Sequence, residues 1–371
     1  MKSNFVPIFA KKTFMPYQNL DSPGLLIFKE NVVFNIDEMI RIAGDASRLM
    51  PHIKTNKMEN VVKLMIGKGI RKFKAATIAE AELAAIAGAE KVLISHQLFG
   101  PKLLRLKSLI EKYPWTHFAT LVDCEVVLND LDKIFNDKPV SVYIDINNGM
   151  DRSGHEVNAG LEDFIKKTSK TKGVKLEGLH IYDGHIRDDE FSERKNKIEK
   201  GFSEISEILK NVSELNLEII AGGTPAFTSH ALESSRTLSP GTCVLWDWGY
   251  GDKFSEQPFK FAAAILTRVI SKPKKGIVTL DMGHKAVASE NPIDKRIRFI
   301  NNSDLKLISQ SEEHGVCETE NWKNYEVGQE IIGIPYHVCP TVNLYDEAFV
   351  IENGEYSETW KIEARKRKIN I

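Results

Sequence analysis

Residues 50–58 read MPHIKTNKM. A short extended run through Pro51, His52 and Ile53 ends at Lys54 and gives way at once to sequence of helical character. An open doubly wound sheet needs a glycine-rich turn after its first strand, and residues 55–60, TNKMEN, contain no glycine. The alternative is a closed barrel, whose first strand ends in a side chain at the open mouth.

Outward from this stretch the pattern alternates. Apolar runs rich in β-branched residues predict strands at 52–54, 72–76, 91–95, 117–122, 140–146, 176–182, 218–221 and 237–246. Helical spacing fits between most of them, most clearly at 77–88, 161–172 and 195–211, where Ile198, Phe202, Ile205, Ile208 and Leu209 recur on one face. Eight strands with helical crossovers over about 200 residues have the size of a (β/α)8 TIM-type barrel. After residue 259 helical periodicity fades. Residues 260–270, 276–281, 295–301, 305–310, 329–334 and 348–352 read as strands separated by turn residues. The expected fold class is therefore α/β, a barrel with a C-terminal β domain. The expected domains are an N-terminal segment 1–22 packing on the β domain, the barrel at 23–250 and the β domain at 251–371. Residues 25–28 and 32–48 read as a lead-in strand and helix.

Composition excludes several partners. Fifty Lys and Arg nearly cancel fifty-one Asp and Glu, with no basic stripe, so neither nucleic acid nor an anionic membrane is expected. No apolar run reaches the length of a bilayer span, and the opening residues carry no signal-type apolar core. The four cysteines form no CxxC pair, which reads as reduced thiols and a cytoplasmic location.

The unusual polar residues fall at the carboxyl ends of the predicted strands, where a barrel enzyme keeps its chemistry. Lys54 ends the first. Residues 145–155, DINNGMDRSGH, offer Asp145, Asn147, Arg152 and His155; residues 180–185, HIYDGH, offer His180, Tyr182, Asp183 and His185. Residues 221–225, AGGTP, present Gly222, Gly223 and Thr224 after the seventh strand. That segment reads either as a tight turn or as a nest of N–H groups suited to phosphate. A lysine opposite a phosphate nest suggests pyridoxal phosphate, which needs an amine and a phosphate cradle. In the β domain, His337 and Cys339 are one residue apart, so on a strand both would point to one face. Imidazole with thiolate suits zinc, although a buried cysteine beside a satisfied histidine fits the same spacing. SEEHG (311–315) reads as a charged turn or as support for such a metal.

These motifs, in this order, resemble the D-threonine aldolase/D-serine dehydratase family, relatives of alanine racemase with fold type III pyridoxal phosphate. The stretch LDSPGLLIFKENVVFNI (20–36) is similar to the family's opening segment, PHIKTNK to its cofactor-lysine segment, DINNGMDRSG to its post-strand-five segment, GLHIYDGH to its ring-contacting segment, AGGTP to its phosphate loop and YHVCPTVNL to its metal segment. The chain departs from the family at Met50, Asn56 and Cys243, where an arginine, a histidine and a tyrosine are usual. The resemblance implies an alanine racemase-like fold. It implies Lys54 joined to the cofactor, with His52, Arg152, Tyr182, Gly222, Gly223 and Thr224 around it, and His337 and Cys339 on a divalent metal. Zinc (Zn) is the expected ion, manganese or magnesium the alternatives. Lys54 and His185 are the candidate catalytic residues. The implied activity is metal-dependent lysis of β-hydroxy-D-amino acids to glycine and an aldehyde, as in D-threonine aldolase. The alternatives are elimination as in D-serine dehydratase, racemisation without a metal, and non-catalytic cofactor binding. The implied partner is a small D-amino acid and the implied assembly a homodimer.

Overall fold

The computed structural model describes residues 17–371. They divide into two compact units. One holds the described residues up to Glu38, Thr55–Met58 and Thr242–Arg365; the other holds Met39–Lys54, Glu59–Gly241 and Lys366–Ile371. In chain order the elements are β1 (Gly24–Phe28), α1 (Lys29–Ala43), α2 (Glu59–Gly67), β2 (Lys72–Ala75), α3 (Ile78–Ile86), β3 (Lys91–Gln97), α4 (Pro101–Lys112), β4 (His117–Val122), α5 (Glu125–Ile134) and β5 (Val140–Asn147). There follow β6 (His155–Glu156), α6 (Ala159–Lys170), β7 (Val174–Ile181), α7 (Phe191–Asn211), β8 (Glu218–Ala221), α8 (Phe227–Ala231), β9 (Arg236–Leu238) and α9 (Trp248–Lys253). The remainder are β10 (Ala263–Ser271), β11 (Ile277–Leu280), β12 (Ile297–Ile300), β13 (Lys306–Gln310), β14 (Gly315–Glu318), β15 (Glu330–Pro335), α10 (Val338–Val342), β16 (Glu347–Glu352) and β17 (Glu355–Lys361).

In the second unit the strands run parallel in the order β2-β3-β4-β5-β7-β8-β9, with β6 paired to the end of β5. Residues 49–53 close the ring. On one side Met50 N–H donates to Leu238 O at 2.8 Å and His52 N–H to Pro240 O at 2.8 Å. On the other, Ile53 N–H donates to Lys74 O at 2.9 Å and Lys74 N–H to Pro51 O at 2.9 Å. The first strand is thus a pair of bridges at Leu49 and His52, not the expected 52–54, and Lys54 lies in the turn just beyond it. A parallel sheet covered on both faces needs nearly continuous apolar runs, and β5 is buried along seven of its eight residues. Met50, Leu93, Ala119, Leu121, Tyr143 and Ile220, from five different parts of the ring, pack inside it. Helix starts are locally encoded: Thr77 caps α3 by accepting from Glu80 N–H at 3.1 Å, and Glu80 reaches back to Ala76 N–H at 2.6 Å.

The other unit is a mostly antiparallel nine-stranded sheet among the described residues. β10 is its hub, paired with β1, β11 and β15. β1 runs parallel to β16, with Leu26 opposite Phe349, so the segment 25–28 belongs to this sheet although it precedes the barrel in sequence. The chain passes between the units at Glu38–Met39, Lys54–Thr55, Met58–Glu59, Gly241–Thr242 and Arg365–Lys366. Tyr17, Leu20, Leu26, Phe28, Leu266, Ile334 and Ile351 form its apolar core. Of the N-terminal segment expected to pack here, residues 1–16 lie outside the described residues. Among the described residues no helix is long and apolar enough to cross a membrane.

Candidate active site

The carboxyl ends of the barrel strands bring several charged groups to one aromatic ring. Tyr182 follows β7 directly. Arg152 Cζ lies 4.7 Å from the centre of its ring, Lys74 Nζ 5.7 Å and Lys54 Nζ 6.0 Å. The ring's negative face accounts for their approach. Lys54 is half-buried, whereas His52, two residues earlier, is buried. His52 Nδ1–H donates to Lys74 O at 3.0 Å, and its Nε2 lies 3.3 Å from Ser95 Oγ. Burial first, then the charges of Lys54 and Lys74, hold this imidazole well below its ordinary pKa, so it is neutral.

The loop after β8 passes beside the same ring. Gly222 has φ +73°, and a Cβ there would stand 2.6 Å from His230 Cδ2. A Cβ on Gly223 would stand 2.7 Å from Tyr182 Cε2. Both positions are therefore too close to a neighbouring ring for a Cβ without a shift, and the Gly222 N–H donates to Ile181 O at 2.9 Å. Thr224 is buried, and its Oγ1 accepts from Gly241 N–H at 3.2 Å. Behind the loop His230 Nε2 contacts Asp183 Oδ2, Asn148 donates to Asp183 Oδ1, and Arg236 Nη1 lies 2.9 Å from His230 Nδ1. An amine, a guanidinium and a side-chain-free loop around one ring fit a cofactor that carries an aldehyde, an acidic ring oxygen and a phosphate, which are the parts of pyridoxal phosphate.

Three groups in this unit are more deeply engaged than their spacing in sequence suggests. Lys74 is 2% exposed and its Nζ lies 3.2 Å from His180 Nε2. His180 Nδ1 in turn lies 2.7 Å from Asp145 Oδ1. Asp145 Oδ2 accepts from Gln97 Nε2 at 2.7 Å and from Ser153 Oγ at 3.0 Å. Burial works against the Asp145 carboxylate, but these donors, His180 foremost, hold its pKa below the usual range. Burial, then repulsion from Lys54, pushes Lys74 down to about 7.

Other candidates stand apart. His185 is exposed, with Nε2 3.5 Å from where a Cβ on Gly149 would stand, and no hydrogen bond or ring contact joins it to Lys54. His155 stacks on Phe164 with ring centres 5.0 Å apart. Residues 311–315 form the charged turn between β13 and β14, with Lys285 paired to Glu312 and Glu313.

The His337–Cys339 pair belongs to the sheet unit. It does not sit on a strand. β15 ends at Pro335, His337 caps α10 and Cys339 lies in its first turn. Asp247 Oδ2 accepts from Val338 N–H at 3.1 Å and so satisfies a helix-start donor that no neighbouring side chain serves. His337 Nδ1–H donates to Glu290 Oε1 at 2.6 Å. Cys339 Sγ lies 3.2 Å from Thr55 Oγ1 and 3.5 Å from Thr242 Oγ1. Burial pulls the His337 imidazole down, but its bond to Cys339, together with Asp247 and Glu290, overrides this and raises it to about 9. Among the described residues no cluster of three or more His, Cys, Asp or Glu side chains is arranged to hold a metal. The donor set is one imidazole and one sulfur, which fits an ion that completes its shell with water or substrate.

Comparison with known proteins agrees with this architecture. The chain is 25% identical over 378 residues to the 3-hydroxy-D-aspartate aldolase of Paracoccus denitrificans (strain Pd 1222), covering 95% of this chain and 94% of that one. It is 24% identical over 361 residues to the D-threonine aldolase of Arthrobacter sp, covering 94% of each. A crystal structure of D-threonine aldolase from Filomicrobium marinum superposes with a TM-score of 0.85 at 24% identity, over 94% of this chain and 96% of that chain. Residues 262–351 match a putative serine dehydratase domain. Residues 27–246 match the alanine racemase N-terminal domain. The chain therefore belongs to the alanine racemase N-terminal domain family, and its fold is alanine racemase-like.

Proposed function

We propose that this chain is a pyridoxal phosphate-dependent lyase acting on β-hydroxy-D-amino acids, splitting the bond between Cα and Cβ to give glycine and an aldehyde. One observation carries the reading: the amine of Lys54, the guanidinium of Arg152 and the Gly222–Gly223 loop all converge on the Tyr182 ring. Three curated relatives that match over nearly the whole chain are aldolases.

In this reading Lys54 supplies the amine that holds the cofactor. Arg152 is a permanent cation that favours an anionic ring oxygen. Tyr182 supports the ring, while Gly222, Gly223 and Thr224 receive the phosphate and neutral His52 closes the floor. When bound, the cofactor supplies an electron sink for negative charge at Cα. Cleavage requires a proton to leave the β-hydroxyl. Lys54 is the proposed acceptor, with His185 the second candidate. His337 and Cys339 would hold a divalent ion, whose chemistry there is polarisation of the substrate hydroxyl. A sulfur ligand favours zinc over manganese or magnesium. We also propose a cytoplasmic homodimer. Its four cysteines form no disulfide, as in a reducing compartment; the dimer rests on family resemblance and is tested by sedimentation.

A second reading is elimination to an α-keto acid and ammonia, favoured by the serine dehydratase match and by sulfur at position 339. Product analysis with D-threonine and D-serine under added zinc or manganese separates the two. Glycine with acetaldehyde indicates cleavage; keto acid with ammonia indicates elimination. Absence of both sets of products would defeat the lyase reading.

A further inference from the structure

Lys74 has no role in the function just described, yet it is among the largest fully buried side chains of the barrel unit. Barrel interiors are ordinarily filled by branched apolar side chains. A buried ammonium is costly there unless paired, so its retention calls for an explanation.

The pairing is unusual because it accommodates a proton in two places. With the proton on Lys74, the ammonium donates to His180 Nε2 and His180 Nδ1–H donates to Asp145. With the proton on His180, the imidazolium donates to Asp145 on one side and to the neutral amine of Lys74 on the other. The heavy atoms need not move. Lys74 faces charged or titratable groups from every neighbouring element. His52 and Lys54 come from the closing segment, Asp145 and Arg152 from β5 and its loop, and His180, Tyr182 and Asp183 from β7 and its loop. Two amines, of Lys74 and Lys54, thus lie within 6.0 Å of the centre of one tyrosine ring.

We propose that Lys74, His180 and Asp145 form a proton-sharing triad beneath Tyr182 whose charge sets the pH response of the cofactor held at Lys54. Lys74 is a positioning residue in this scheme, and the scheme rests on the pyridoxal phosphate reading. With its extra proton the triad is net neutral, the ammonium or imidazolium offsetting the Asp145 carboxylate, and that nearby cation opposes a second positive charge at the Lys54–cofactor link. Loss of that proton, to be expected near neutrality since Lys74 stands at about 7, ends the opposition.

The test is the visible absorbance of the protein reconstituted with pyridoxal phosphate, followed between pH 5.5 and 10. The wild type should show a step near pH 7. Lys74→Met should lack that step and move the principal midpoint up by about one pH unit, the scale expected for losing a nearby charge. Lys74→Arg keeps a fixed charge, so it should lack the step without the upward move. Variants that titrate like the wild type would overturn the proposal. If Lys74→Met does not fold, Lys74→Arg decides alone: retention of the step near pH 7 sinks the triad. If the wild type binds no cofactor, the functional reading fails instead. The triad is then read from apoprotein unfolding, where a pH dependence between 7 and 10 that Lys74→Arg removes supports it and an unaltered dependence refutes it.

Discussion

Replacing Lys74 by methionine should reshape the pH dependence of folding in the cofactor-free protein. In the folded chain the amine stands at about 7; in the unfolded chain it returns to roughly 10.4. The folded pKa is depressed, so between these values the unfolded chain binds more protons and stability rises with pH. Below pH 7 both states carry the proton and the full cost of burying it is present. Above pH ~10.4 that cost is gone. At about 1.36 kcal/mol per unit the interval corresponds to a ceiling of about 4–5 kcal/mol. The partnership with His180 and Asp145 and local relaxation lower this to about 2–4 kcal/mol. Methionine has similar volume and no charge. Lys74→Met should therefore be more stable than the wild type by about 2–4 kcal/mol at pH 6.5, an advantage that shrinks steadily towards pH 10. Urea unfolding followed by circular dichroism at five pH values measures the gap directly. Buried tyrosines with raised pKa values, such as Tyr17, titrate in both proteins and cancel in the difference. A gap that stays constant across the range would refute the reasoning.

Three further outcomes follow from the geometry. Gly223→Ala puts a methyl group 2.7 Å from Tyr182 Cε2, and overpacking of about 1–3 kcal/mol should weaken cofactor binding by about 5- to 150-fold, measured by fluorescence titration; unchanged affinity would mean that the loop does not face the cofactor. Cys339→Ala should leave cofactor absorbance intact while lowering bound metal, read by atomic emission; unaltered metal content would place the ion elsewhere. Glu177→Gln removes the carboxylate that pairs with Lys91 at 2.9 Å and accepts from Ser141 at 2.8 Å, so thermal unfolding should fall by the equivalent of about 3 kcal/mol with cofactor binding preserved. An unshifted transition would mean that this ion pair contributes nothing.

Lys54, Tyr182 and the Gly222–Gly223 pair could be singled out because each stands where an apolar β-branched run stops, and Arg152 because it lies in the polar loop that follows one. Lys74 was not. β2 reads KFKA, and alternation suggests two solvated lysines flanking a core phenylalanine. In a barrel the face opposite the helices is the interior, so Lys72 and Lys74 both turn inward: Lys72 reaches Glu218 and Lys74 reaches His180. On a strand His337 and Cys339 would share one face, yet HVCPT is a helix start satisfied by Asp247, about ninety positions earlier in the chain. Local pattern holds no trace of such a partner. β17, EYSETWK, was missed because it is an edge strand with mostly exposed residues, and β1 could be assigned to its sheet only through its pairing with β10 and β16.

The most direct measurement is borohydride reduction of the protein loaded with pyridoxal phosphate, then proteolysis and mass spectrometry of the peptides. The account requires the pyridoxyl adduct on Lys54, and its loss together with the visible band in Lys54→Ala. An adduct on Lys74 or on any other lysine, or no adduct in a protein that still turns over D-threonine, would contradict it.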